Sequence, residues 1–274
     1  MTLRRMAAAD VAGVQALLAA HEAQSMFARV NLAGRGVAMQ VWVARDARVT
    51  GMIGLTGDGM LLVQWPAGDF AQAAQALAGN RASGILGPVD QVRALRAALG
   101  WQALTVRHDG DEPGYALTLT DLRLPESAGC SLHPLTEAPD LVAQWRAAYA
   151  QEVFGVPPAE AAVAAVRDVA RWTAADSHRL LRLQGQPVAL SGFNAVLPDV
   201  VQVGGVYVPP PLRNRGHARR VVGLHLAQAR GAGVQRAVLF AASAAAARAY
   251  QALGFQPAGR MGLVLFETAH EIAP

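Results

Sequence analysis

Residues 213–220 read Arg-Asn-Arg-Gly-His-Ala-Arg-Arg. Four cations, Arg213, Arg215, Arg219 and Arg220, surround two residues without bulk, Gly216 and Ala218. If a helix opens here, its first backbone N–H groups have no intrahelical partner and point outward. Together with the positive end of the helix dipole they form an anion site. The small residues let a phosphate approach the backbone, so the stretch reads as a pyrophosphate cradle. Other chemistry is hard to find. No His/Cys/Asp/Glu cluster has metal-ligand spacing, and no metal is expected. No G-x-S-x-G element points to a hydrolase. A dinucleotide enzyme would need G-x-G-x-x-G after an early strand, followed by an acidic ribose ligand, and the chain lacks this.

The elements that must position this loop can be read on either side of it. Val201, Val203, Val206 and Val208 mark an extended run, in which Gly204-Gly205 shifts the alternation as a bulge would. Pro209-Pro210-Pro211 cannot continue a sheet interior or a helix. The following helix has an apolar face of Ala218, Val221, Val222, Leu226 and Ala229. His217 and His225 on it read as packing or solvated residues. A second strand, 237–241, leads to Ser243, an N-cap whose capping box is broken by Ala246. Ala246, Tyr250 and Leu253 share one face of the next helix, and Gly254 stops it.

Two motifs in this stretch carry a resemblance. Arg213-x-x-Gly216-x-Ala218 after Val206-x-Val208-x-Pro210 resembles motif A of the GCN5-related N-acetyltransferases, the GNAT family. Residues 243–255 resemble that family's N-x-x-A-x-x-x-Y-x-x-x-G-F pattern at Ala246, Tyr250, Gly254 and Phe255, with Ser243 in place of the Asn. The resemblance covers about residues 131–274.

The resemblance implies direct transfer of an acetyl group from acetyl-CoA, as co-substrate, to an amine of a small molecule or peptide. It implies that the Val206 N–H polarises the thioester carbonyl, that Tyr207 and Val208 lie along the pantetheine arm, and that Arg213, Asn214, Arg215, Gly216, His217, Ala218 and Arg219 bind the pyrophosphate. Ser243 joins the cofactor site, and Tyr250 protonates the departing thiolate. Glu152, at the end of the domain's first helix, is the leading candidate for the base; Tyr207, His178 and Asp199 are weaker ones. The competing reading is a non-catalytic acyl-CoA-binding regulatory module. The Ser243 change favours that reading, whereas the intact Tyr250 and glycine loop favour the enzyme.

Composition sets the bounds. The chain has 274 residues, long for one domain and comfortable for two. A hydrophobic content of 53% allows a large core. All 24 basic residues are arginine, spread without a basic block or interleaved aromatics, so no nucleic-acid partner is expected. The net charge of +4 still suits an anionic co-substrate. Cys130 is the one cysteine, which rules out an intrachain disulfide, and it reads as a small buried apolar residue. The N-terminus lacks a signal-peptide h-region, and no apolar run reaches a membrane span. A cytoplasmic protein without a membrane partner, monomer or homodimer, is expected.

Segment 125–129 reads as a linker. Beyond it the order is strand, helix, helix, three strands, helix, strand, helix, strand. Before it come a helix at 8–21, an irregular or briefly helical stretch at 25–36, a meander at 40–44, 49–55 and 60–65, a helix at 70–78, a strand at 84–87, a helix at 88–99 and a strand at 115–124. Residues 93–101 echo 247–255, and 10–22 parallel 140–152. The expected fold is α/β (α+β): a GNAT-like mixed, mostly antiparallel sheet flanked by helices, twice in tandem. Residues 1–125 would form a degenerate copy and 130–274 the catalytic domain. The first copy has Pro66-Ala67-Gly68-Asp69 where the phosphate loop should be, with no arginine, and Arg96 in the place of Tyr250. Its expected work is to pack against the catalytic half and shape the acceptor cleft.

Overall fold

The computed structural model describes residues 3–273. The chain runs β1 (Leu3–Arg5), α1 (Val11–Ala20), α2 (Glu22–Leu32), β2 (Met39–Arg45), β3 (Val49–Thr56), β4 (Met60–Gln64), α3 (Phe70–Leu77), β5 (Arg81–Pro88), α4 (Val89–Ala98) and β6 (Val106–Thr118). It then repeats the same order: β7 (Cys130–His133), α5 (Pro139–Phe154), α6 (Pro158–Ala174), β8 (His178–Leu183), β9 (Gln186–Val196), β10 (Val200–Tyr207), α7 (His217–Gly231), β11 (Arg236–Phe240), α8 (Ala244–Gln251) and β12 (Gln256–Glu271). The two-fold repeat of one mixed α/β pattern matches the tandem expectation.

Contacts divide the chain into two units, Met1–Gly114 with Ala258–Pro274, and Tyr115–Pro257. This differs from a break at 125–130. The chain changes unit inside β6, and the C-terminal strand returns to the first unit. In that unit the strands run β1-β2-β3-β4-β5-β12, with β6 following β12. The β4–β5 pair is parallel, whereas β12 lies antiparallel on β5 from Met261↔Pro88 onward. One face of this sheet carries Val14, Leu18, Ala28, Val43 and Met52. The other buries Ile53, Trp65, Leu77, Ile85, Leu95 and Trp101.

The second unit has the order β7-β8-β9-β10-β11, with the end of β6 beside β11. Gln184 and Gly185, both left-handed at φ 51° and 81°, make the tight turn between β8 and β9. Pro139 and Pro158 open α5 and α6, where a missing N–H costs nothing. On one face Leu135, Val142, Val169, Trp172, Leu180, Leu190 and Tyr207 pack under α5 and α6. On the other, Val221, Val222 and Leu226 of α7 meet Val201, Val203 and Leu239 of the sheet. Each fully buried side chain of this size contributes about 1.5–3 kcal/mol by area, so the apolar stripe of α7 holds the loop before it in place.

Two elements are longer than their sequence suggests. The α2 helix covers most of a stretch expected to be irregular or briefly helical, because Met26 and Val30, four residues apart, bury one of its faces. Strand β6 starts at Val106, nine residues before the strand expected at 115–124. Cys130 is partly exposed rather than buried. No helix among the described residues is long and apolar enough to cross a membrane.

Candidate acyl-CoA site at the corner between β10 and α7

The parallel pairing of β10 with β11 runs from Val200↔Arg236 to Gln202↔Val238. Beyond it β10 continues to Tyr207 and β11 to Phe240. On its other side β10 shifts register against β9 between Gln202 and Val203, and again between Gly204 and Tyr207. Gly205 takes φ 61°, which the bulge requires. The bulge read from Gly204-Gly205 is therefore present. It lies where β10 parts from β11, so the Val206 backbone stands at the opening of a cleft between two parallel strands. Val206 and Val208 pack against the same core that buries Tyr250.

The chain then turns through Pro210–Leu212 into the loop. Asn214 (φ 63°) and Gly216 (φ 78°) are both left-handed, which curls the backbone so that successive N–H groups converge. Helix α7 starts at His217 with no side-chain cap, leaving its first donors for a ligand. An added Cβ at Gly216 would meet nothing closer than Arg220 Nη1 at 3.5 Å, so the approach is open. Arg215 and Arg219 are exposed. Arg220 is used internally: it donates to the Arg215 carbonyl at 2.7 Å and the Glu126 carbonyl at 3.0 Å. His217 is buried, and burial beside Arg220 and Arg215 lowers its pKa, so it adds no charge at neutral pH.

The structure sets Arg213 differently from its sequence reading. Its guanidinium binds Glu152 in a two-pronged pair, 2.7 Å on each side, and donates to the Val208 carbonyl at 3.0 Å. It also lies 5.8 Å over the Tyr207 ring. Glu152 is thus joined to the phosphate loop rather than standing alone at the end of α5. The Arg213 hydrogen bonds hold its carboxyl below the usual range, which weakens it as a base. Tyr207 lies among Trp145 and Tyr149, at 6.2 and 6.4 Å between ring centroids, and burial pushes its hydroxyl pKa up. Asp199 sits at the start of β10, paired with Arg236 at 2.6 Å. Ser243 caps α8 by accepting from the Ala246 N–H at 3.1 Å. Tyr250 is buried on α8, its ring 6.1 Å from Phe255. Among the described residues no group of three or more His, Cys, Asp or Glu could hold a metal.

Residues 141–255, which contain this corner and Tyr250, match the Acetyltransferase (GNAT) family. The chain carries a GNAT domain. Solved structures extend the likeness of fold beyond the GNAT domain to nearly the whole chain. A tandem GNAT protein from the clavulanic acid biosynthesis pathway is 17% identical, with 99% of this chain and 98% of that one covered at a TM-score of 0.57. A GCN5-related N-acetyltransferase from Sphaerobacter thermophilus is 17% identical over 99% and 96%, with a TM-score of 0.59. Another from Kribbella flavida is 19% identical over 93% and 96%, with a TM-score of 0.56. No curated protein matches the sequence.

Proposed function

We propose that the protein moves an acetyl group from acetyl-CoA to an amine of a small molecule or peptide by direct transfer. The observation that carries this reading is the corner itself: a bulged β10 parting from β11, followed by a left-handed Gly216 at an uncapped helix start. The cleft suits a pantetheine arm along Val206, Tyr207 and Val208. The loop from Arg213 to Arg219 suits a pyrophosphate. The Val206 N–H is the donor to the thioester oxygen, worth a few kcal/mol in a water-poor site. Tyr250 is the proton donor to the leaving sulfur, and Ser243 holds the start of its helix. Glu152 can act as a base only after Arg213 releases it.

The test is acetyl-CoA turnover against a panel of amines, antibiotics, polyamines and peptides, with mass detection of the product. An acetylated amine supports the reading. Tight acetyl-CoA binding with no product from any amine would favour the non-catalytic acyl-CoA-binding module.

A further inference from the structure

A buried polar atom beside the bulge is left without a hydrogen-bond partner. His178, the first residue of β8, is 1% exposed, and its Nε2 is buried with no hydrogen-bond partner. Such orphans are rare, because an unmade buried hydrogen bond costs free energy that nothing recovers. Around it the fold is built to hold the ring. The imidazole stacks on the Trp172 indole at 3.9 Å and 12°. Its Nδ1 lies 2.9 Å from Ser177 Oγ. In the tautomer with the ring proton on Nδ1, Ser177 Oγ accepts from Nδ1–H and Nε2 is a bare lone pair.

Nε2 lies close to Gly205, beside the candidate reaction centre. His178 pairs with Gly192, which pairs with Gly204, so the ring lies along a row of residues without side chains. A Cβ at Gly192 would fall 2.0 Å from Nε2, and one at Gly205 would fall 3.3 Å from it. Gly205 directly precedes Val206, whose N–H is proposed to hold the thioester oxygen. Gln202 Oε1, two residues before Gly204, is also buried without a partner.

We infer that His178 Nε2 docks the acceptor, taking a hydrogen bond from an uncharged N–H directly or across one water, and so selects a weakly basic amine such as an arylamine, a hydrazine or an alkoxyamine. This rests on the acetyltransferase reading and names the class of its acceptor. A charged ammonium is disfavoured in this place. Burial is the main reason the imidazole itself stays neutral, its pKa lowered to about 3, and His225, Arg171, Arg146 and Arg179 add to it. Glu152 is tied to Arg213 and so is not free to strip an ammonium, and the amine arrives neutral. In the transfer, the N–C bond forms and the C–S bond breaks. The nitrogen loses one proton along its hydrogen bond toward Nε2, and the sulfur gains one from Tyr250. A weakly basic nitrogen becomes acidic enough on attack for a poorly basic imidazole to receive that proton.

The test uses the full chain with saturating acetyl-CoA at pH 7, and aniline and n-butylamine as probes. Thiol release should favour aniline by tenfold or more. His178→Phe keeps the ring stacked on Trp172 and removes the lone pair. It should lower kcat/KM for aniline at least tenfold, leave acetyl-CoA binding unchanged, and leave the melting temperature equal or higher. His178→Gln should recover part of the loss. In protein with 15N-labelled histidine, the Nε2 signal of His178 should move when aniline joins the CoA complex. A His178→Phe enzyme with wild-type kcat/KM for aniline, a preference for n-butylamine, or a fixed Nε2 signal would each overturn the inference. Failure of acetyl-CoA to bind would instead overturn the acetyltransferase reading.

Discussion

The corner between β4 and α3 and the corner between β10 and α7 occupy the same place in the repeated order, yet their backbones end differently. In the first, β4 pairs with β3 without interruption from Met52↔Gln64 to Leu55↔Leu61. Five residues, 65–69, then lead to α3. Trp65 fills the turn at 1% exposure, its indole within 2.0 Å of a Cβ at Gly51 and 2.6 Å of one at Gly68. The Trp65 N–H is satisfied by Gln91 Oε1 at 2.6 Å, and the start of α3 by Asp69, which accepts from Gln72. In the second corner nine residues, 208–216, separate strand from helix, and no side chain caps α7. The proposed anion site would arise here from withholding partners that an ordinary turn supplies. The two units also differ in residue type one helix later. Arg96 in the first unit binds Asp109 at 2.6 Å and the Trp101 carbonyl at 3.1 Å, where the second unit has Tyr250.

The strongest way to break this comparison is to spoil the open corner. Gly216→Asp puts a carboxylate where the phosphate is proposed to lie. Calorimetry on the wild type should show one acetyl-CoA per chain, and the variant should lose a hundredfold or more in affinity. Gly216→Ala, which carries only the strain of a left-handed alanine, about 1–2 kcal/mol, should lose far less. Two equivalent sites in the wild type would mean that the first corner binds as well. Next in size, Tyr250→Phe should slow the acetyl-transfer step about a hundredfold, the low end for a lost general acid, with acetyl-CoA affinity unchanged. A wild-type rate in a single turnover would return Tyr250 to packing against Phe255.

Smaller effects separate capping from binding. Asp69→Ala removes the α3 cap and should cost about 1 kcal/mol in urea unfolding, with no change in acetyl-CoA affinity. A change in affinity would place the first corner in the site. Glu152→Gln should cost less still. Both partners are solvent-accessible, the side chains 46% and 38% exposed, and such pairs contribute about 1 kcal/mol or less. Arg213 lowers the folded pKa of Glu152. The contribution is therefore full above the ordinary carboxylate range and lost as pH falls through the lowered value. Wild type and variant should differ in urea at pH 7 and converge in acid. A gap that persists in acid would mean that the introduced amide disturbs more than the pair.

Much of this was legible in the residues, because local chemistry wrote it. A bulge needs glycine, a strand end tolerates proline, and a left-handed helix start needs Gly216. Those signs located the corner from one stretch of chain. What escaped notice depended on distance. Arg213 meets Glu152 across 61 positions of sequence, and nothing local marks the pair. The row from His178 to Gly205 exists only once β8, β9 and β10 are in register. The start of strand β6 was hidden by Arg107, Asp109, Asp111, Glu112 and Pro113, because a stretch with charge on both faces carries little apolar signal. The return of residues 258–271 to the first unit could not be read either, since a strand's own pattern does not say which sheet it joins.

That return has a consequence for how the protein is made. The first unit lacks its β12 until the ribosome has passed Ala258. At bacterial to eukaryotic elongation rates, the 143 residues between positions 114 and 258 take roughly 7–29 s. Through that interval β5 has no β12 beside it, and an unpaired strand edge invites pairing with other chains. The half without the anion loop is thus the last to be completed, and it is the half that C-terminal truncation should damage. A chain ended before Ala258 should lose protease resistance first in residues 3–114, and retained resistance there would show that β12 is dispensable.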